Sequence, residues 1–286
     1  MEGGARRRRS TASRRRADRA RRRNTRSELG GRVAAAIPAI AFALFIVGFG
    51  GWIFVAGLVA LGWICLHELF GMYEFTNPSR LAGFAGIVAL LVAAHSGDQA
   101  SVLGAFVACV PLVFLLCAIQ PRHAGAPGVS VTLLGVAWVG LAFAHAVLLR
   151  DLPHGDGIVI DVLVGTFVGD TGAYLGGRTF GTRRLAPSIS PNKTLEGLLI
   201  GFFFAVLGVW LGGLYQNWLS GWNAVILGAA VGAAAPLGDL FESYLKRDAG
   251  TKDTGRLFGP HGGALDRLDA AMFTMVAGFY VWHAML

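Results

Sequence analysis

Residues 221–247 read GWNAVILGAAVGAAAPLGDLFESYLKR, and two features of this run decide how the chain is built. The first charge, Asp239, arrives only after an apolar stretch close to the length of about 20 residues that a helix needs to cross a bilayer. Asp239, Glu242, Ser243 and Lys246 then fall at i, i+3, i+4 and i+7, one face of a helix. Snorkelling to the interface accounts for Lys246 and Arg247, but not for Asp239, two turns deeper. An acid at that depth is costly and turns toward the bundle interior or a water-filled cavity. The run predicts a membrane-spanning helix with one face on a polar cleft.

Outward from it the same pattern repeats. Apolar stretches of spanning length run roughly over 33–50, 51–72, 81–96, 99–119, 128–149, 157–177, 194–215, 221–245 and 264–284. The expected fold class is therefore all-α, a polytopic membrane helix bundle with about nine transmembrane helices. Between the first two stretches stands Gly48-Phe49-Gly50-Gly51, consistent with a tight hairpin or one long kinked helix. A hydrophobic content of 54% with 15% charged residues excludes an ordinary soluble domain.

The net charge of +8 is concentrated at one end, with thirteen arginines against Glu2, Asp18 and Glu28 in residues 1–32. That segment lacks apolar residues to bury and is expected to be a disordered Arg-rich cytoplasmic tail. Residues 33–286 form the expected transmembrane catalytic domain, with 33–150 less specific and 157–286 carrying the active site. The remainder of the chain is slightly acidic, so no nucleic-acid partner is expected and the bilayer itself is the partner the tail fits. Arginines ahead of the first span place the N-terminus in the cytoplasm. Alternate counting then puts the loops after spans two, four, six and eight inside, where nearly all other Lys and Arg lie. Cys65, Cys109 and Cys117 lack ligand spacing and are read as small core residues. His95, His145, His154 and His283 are read as packing residues, and His67 with Glu68 as a cavity-lining or mutually paired dipeptide.

Three constellations carry chemistry. The first is the Asp239 to Arg247 stripe. The second, His261-Gly-Gly-Ala-Leu-Asp266-Arg267-Leu-Asp269, enters the last span with two acids on one face at the positive end of the helix dipole. Capping explains either acid alone, but not Gly262 and Gly263, which permit close backbone approach beside a histidine. Between the two lies Lys252-Asp253-Thr-Gly255-Arg256, suited to holding phosphates by charge and backbone N–H groups. Carboxylates with basic residues and glycines suggest a divalent metal and a polyphosphate. The third follows span six: Gly169-Asp170-Thr-Gly-Ala-Tyr174, then Ser190-Pro-Asn-Lys193-Thr194-Leu-Glu196-Gly197, where Ser190 or Thr194 is a candidate cap for span seven.

Read whole, Ser243-x-Leu-Lys246-Arg247-x4-Lys252-Asp253-x-Gly255-x2-Phe258-Gly259-x-His261-Gly262-Gly263-x2-Asp266-Arg267-Leu-Asp269 resembles the signature of the phosphatidate cytidylyltransferase (CDP-diacylglycerol synthase) family. The Asp170 to Tyr174 and Ser190 to Gly197 segments resemble that family too, so the likeness covers about 160–286, with Ala264 and Leu195 departing from its usual larger aliphatic and aromatic. The resemblance implies transfer of CMP from CTP to phosphatidic acid in phospholipid biosynthesis. It implies Mg²⁺ held by Asp239 and Asp266, with a monovalent ion such as K⁺ beside it. Asp269, Lys252 and His261 join the expected catalytic set, and Asp170, Ser190, Lys193, Ser243, Lys246, Arg247 and Arg267 the expected substrate-binding set. A homodimer in the cell inner (plasma) membrane, with a cytoplasmic site, is expected on the same ground. Related membrane cytidylyltransferases or kinases acting on another lipid or isoprenoid phosphate are the near alternatives. An ion-coupled transporter is the distant one; it calls for acids dispersed through both halves of the bundle and for related repeats, whereas here the acids cluster late and no internal repeat is visible.

Overall fold

The computed structural model describes residues 37–120, 124–255 and 262–286. The expected Arg-rich tail and His261 lie outside the described residues. The chain divides into two compact units, Met1–Phe45 and Ile46–Leu286. The described part of the first is helical, and the second carries everything discussed below.

The described residues form an all-α membrane bundle of nine helices: α1 Ile37–Phe49, α2 Gly51–Met72, α3 Arg80–Ser96, α4 Gln99–Ala118, α5 Gly125–Asp151, α6 Gly155–Phe180, α7 Leu195–Gly213, α8 Gly221–Asp248 and α9 Leu265–Met285. Six of them, α2 and α4 to α8, are each long and apolar enough to cross a membrane. Of the others, α1 and α3 are shorter, while α9 has 21 residues but carries Asp266, Arg267 and Asp269 in its first turns. The nine apolar stretches thus correspond to nine helices, six of which qualify as spans on length and hydropathy alone.

Local chemistry sets the boundaries. Gly50 (φ 64°) and Gly51 (φ 52°) both adopt left-handed backbone, so α1 and α2 are separate helices rather than one kinked rod. Side-chain caps start α3, α4, α7 and α8: Ser79 accepts from Ala82 N, Asp98 from Ser101 N, Thr194 from Gly197 N and Ser220 from Asn223 N. Thr194, not Ser190, therefore caps the seventh helix. Ser190 instead opens a strand of a small antiparallel hairpin, β1 Arg184–Ala186 with β2 Ser190–Thr194, inserted between α6 and α7.

Burial sorts the helices. The apolar window of α5 is 72% buried, against 22% for α4 and 28% for α7, so α5 is the central helix and the other two are peripheral. Leu103, Val107 and Phe114 on α4 and Leu199 and Phe203 on α7 are accordingly exposed, as befits side chains whose solvent is lipid. Cys65, Cys109 and Cys117 are free and buried, as their apolar settings suggested.

Helices α6 and α7 meet along small residues. A Cβ added to Gly172 would stand 2.6 Å from Phe204 Cβ, one on Gly176 2.6 Å from Ile200 Cδ1, and one on Gly201 2.7 Å from Ala173 Cβ. Between helices in lipid, where no hydrophobic force drives association, such close backbone approach supplies the packing.

Candidate active site

The last turns of α8 and the first of α9 lie together because nothing separates them. A Cβ on Gly238 would fall 2.9 Å from Ala270 Cα and overlap the Asp269 carbonyl, so the backbones touch there. This contact sets Asp239 of α8 beside Asp269 of α9. Two turns further along α8, Lys246 Nζ reaches Glu242 Oε2 at 2.6 Å and Asp266 Oδ1 at 2.9 Å, tying the two helices. Glu242 is 1% exposed and its Oε1 has no hydrogen-bond donor among the described residues, while its carboxyl faces the buried Asp269.

Asp266 is fully engaged. Beyond Lys246, its Oδ2 accepts from Gly263 N at 2.7 Å and from Thr254 Oγ1 at 2.9 Å and N at 3.1 Å. Gly262 is left-handed (φ 87°), which turns the chain so that the Gly263 amide reaches that carboxylate.

The hairpin supplies the third side. Lys193 Nζ stands 2.5 Å from Asp239 Oδ2 as an ion pair, and Asp170 of α6 lies within electrostatic reach of both. Glu196 in the first turn of α7 folds back onto the lead into the hairpin, accepting from Thr182 N at 3.0 Å, Thr182 Oγ1 at 2.5 Å and Arg183 N at 3.2 Å. Arg247 donates from Nε to the Ile189 carbonyl at 3.2 Å, so it holds the hairpin to the end of α8. An apolar cavity of about 340 Å³ lies between the hairpin, α7 and α8, lined by Leu185, Leu198, Phe202, Pro236 and Leu240, among others.

The structure thus brings together Asp170, Lys193, Asp239, Glu242, Lys246, Asp266 and Asp269. Ser190 sits at the start of β2, Ser243 is half-buried on α8, and Lys252 and Arg267 are exposed. Asp239 and Asp266 each hold a different lysine. His67 and Glu68 do not pair: His67 is exposed, whereas Glu68 is buried and accepts from Ala264 N at 3.0 Å and Leu265 N at 2.9 Å. Glu68 and Thr254 were not read from the sequence as part of this constellation, and only the depth of Glu68 in an apolar run could have flagged it. Tyr73, just beyond α2, donates from its hydroxyl to Leu245 O at 3.1 Å and to Asp248 Oδ2 at 2.9 Å. Burial first, and then the bond to Asp248, pushes its phenol well above the usual range.

Among the described residues five acids (Asp170, Asp239, Glu242, Asp266, Asp269) gather in the cleft around Lys193 and Lys246. Among the described residues no three His, Cys, Asp or Glu side chains converge at ligand spacing. Mg²⁺ does not need such a cage, being held by one or two carboxylates with substrate phosphates completing its shell. The gathering of acids, with a Glu242 oxygen that has no donor among the described residues, fits a cation there, and such a cation together with Lys193 and Lys246 can neutralise a polyphosphate.

A membrane-embedded helix bundle with an acid–lysine cleft of this kind has known relatives. The chain belongs to the cytidylyltransferase family, whose model matches residues 31–285. It is similar to a phosphatidate cytidylyltransferase of Synechocystis sp., 31% identical over 284 residues that cover 87% of this chain and 94% of that protein. A phosphatidate cytidylyltransferase of Staphylococcus aureus is 31% identical over 250 residues, 85% of this chain and 95% of its own. One of Staphylococcus epidermidis is 29% identical over 249 residues with the same coverage. The likeness therefore spans nearly the whole of both partners, not only the C-terminal signature.

Proposed function

We propose that this chain transfers CMP from CTP to phosphatidic acid, forming CDP-diacylglycerol and pyrophosphate. A phosphate oxygen of the lipid attacks the α-phosphorus of CTP, and the bond from that phosphorus to the pyrophosphate oxygen breaks. The attacking oxygen is already ionised, so no strong general base is required, in keeping with a cleft rich in carboxylates and lysines. Two anions must approach one another, and electrostatic stabilisation carries most of the rate. The observation that supports this reading above the others is the cluster of acids and lysines where α8, α9 and the hairpin meet, with an apolar cavity walled by the hairpin, α7 and α8, including Leu240, next in sequence to Asp239. Lys193, Lys246, Lys252, Arg247 and Arg267 are the phosphate-binding residues in this reading, with Asp170, Ser190 and Ser243 positioning nucleotide or headgroup.

Asp239 and Asp266, with Asp269 in support, would hold Mg²⁺, whose chemistry is to withdraw charge from the phosphoryl oxygens. A monovalent ion such as K⁺ suits the donorless oxygen of Glu242. His261 joins the site in this reading on the resemblance alone. The protein would lie in the inner (plasma) membrane as a homodimer with its N-terminus and site cytoplasmic, so that CTP arrives from water and the lipid from the leaflet.

The test uses the purified protein in detergent with α-labelled CTP, phosphatidic acid and Mg²⁺, following label into lipid. Transfer is expected to require Mg²⁺ and to vanish in Asp239→Asn and Asp266→Asn chains that remain monodisperse. Full activity in both variants would remove the metal assignment, and label passing to a different lipid phosphate in preference would change the substrate.

A further inference from the structure

Four helices of the described bundle are capped by a side chain from their own chain neighbourhood, α3 by Ser79, α4 by Asp98, α7 by Thr194 and α8 by Ser220, whereas α2, α5 and α6 start without one. Helix α9 has no cap of its own either, since Ala264 precedes it, yet its first N–H groups are met by a side chain. Its natural substitute, the first-turn acid Asp266, is turned away to Lys246, Thr254 and Gly263 N. The capping carboxylate comes instead from Glu68 of α2, far off in sequence, which accepts from Ala264 N and Leu265 N with both oxygens. A single hydroxyl would satisfy a helix end. A buried carboxylate within a span is an expensive way to do so, unless Asp266 is needed elsewhere.

Glu68 also grips the incoming chain. Thr254 Oγ1 lies 3.3 Å from Glu68 Oε2 and 2.9 Å from Asp266 Oδ2, so one hydroxyl joins the two carboxylates. A Cβ on Gly255 would stand 2.6 Å from Glu68 Oε1, and one on Gly263 would overlap the same carboxylate. One turn beyond Glu68, Tyr73 binds the end of α8. The close of α2 therefore touches both helices that carry the site.

We propose that Glu68 is a positioning residue for the candidate active site: by capping α9 in place of Asp266 and tying down Thr254, it leaves Asp266 aimed into the cleft at a fixed place. It touches neither substrate nor reacting atoms and acts through the first turn of α9. This rests on the reading of the α8–α9 cleft as the transfer site. The loss expected on removing such an outer partner is about 10–100-fold in activity.

The experiment uses the full chain in detergent, as wild type, Glu68→Gln, Glu68→Asp, Thr254→Val and, as a control, His67→Ala. An amide offers one acceptor where two backbone N–H groups need one each, so Glu68→Gln should lower kcat about 10–100-fold while the KM for CTP moves less than about 3-fold. Hydrogen exchange followed by mass spectrometry should quicken in peptides covering 263–267 and stay unchanged in α5. Glu68→Asp, which keeps both oxygens, should recover part of kcat, and His67→Ala should match wild type. If Glu68→Gln does not yield monodisperse protein, Thr254→Val carries the test, with exchange quickened in the same peptides and kcat down about 10-fold. An unchanged kcat in Glu68→Gln, or exchange quickened evenly across the bundle, overturns the proposal. Wild-type protein that passes no label from CTP to phosphatidic acid would refute the reaction instead, while the exchange comparison still decides whether Glu68 holds α9.

Discussion

Replacing Lys246 by Met removes the one ammonium group that joins Glu242 to Asp266. The side chains concerned are 16%, 2% and 12% exposed respectively, so water replaces little of what is lost. Removing one partner of a buried ion pair costs about 3–5 kcal/mol, because the other charge stays buried. Asp266 keeps its bonds from Gly263 N and Thr254, so the deficit falls on Glu242, whose second oxygen already lacks a donor. That places Lys246→Met near the lower end, about 3 kcal/mol, or about 6–12 °C in midpoint for a chain of this size. The adjacent Glu242→Gln change removes the stranded charge and gives Asp269 an amide donor. The double variant should therefore recover more than half of the lost midpoint while remaining inactive in label transfer, since the ammonium group is gone. Unfolding in detergent, followed by heat on the four proteins of this cycle, reads the stability, and labelled CTP reads the activity. A Lys246→Met protein as stable as wild type, or a double variant no better than the single, would refute the coupling of the three groups.

Gly238→Ala drives a methyl group into the backbone of α9 at Asp269 and Ala270, an overpacking cost of about 1–3 kcal/mol, and should lower both the unfolding midpoint and transfer; wild-type behaviour would show that the helices are not in contact there. Tyr73 has its phenol raised by burial and by Asp248, so its neutral form contributes stability that is fully present below about pH 10 and declines above it as the unfolded chain ionises first. Unfolding midpoints between pH 8 and 11.5 should thus fall more steeply for wild type than for Tyr73→Phe, and parallel curves would refute this. Glu196→Gln should loosen the lead into the hairpin, seen as faster proteolysis near 182–194 and a raised KM, with the bundle midpoint unchanged. Equal proteolysis rates would show that the hairpin does not depend on that carboxylate.

The helices were legible because membrane solvation imposes length and apolarity on each, which a single run such as 221–238 displays without reference to any other. The placing of Asp239, Glu242, Ser243 and Lys246 on one face of a helix was legible from their i, i+3, i+4 and i+7 spacing. Glu68 was not legible in the same way. Its partners are backbone N–H groups of Ala264 and Leu265, which have no side-chain signature, and they lie 196 and 197 residues away. The bond from Arg247 to the Ile189 carbonyl was not legible either, since it is set by where the hairpin lies. The hairpin itself escaped notice because strands of 3 and 5 residues, the first followed at once by Pro187 and the second holding Pro191, leave no alternation to read. The low hydropathy of α9 has the opposite cause: its entry is charged because it belongs to the cleft.

The glycine seam between α6 and α7 separates two steps that hydropathy treats as one. A Gly201→Leu or Gly176→Leu chain would be more apolar than the original, and each altered segment would enter the bilayer at least as readily. Its helices would then fail to find one another, because the methyl groups would occupy the space where Ala173 and Ile200 now sit. Damage of this kind arises after insertion and is invisible to any scale of water-to-lipid transfer. For this protein, variants that score as improved membrane segments are among those most apt to leave Lys193 without Asp239.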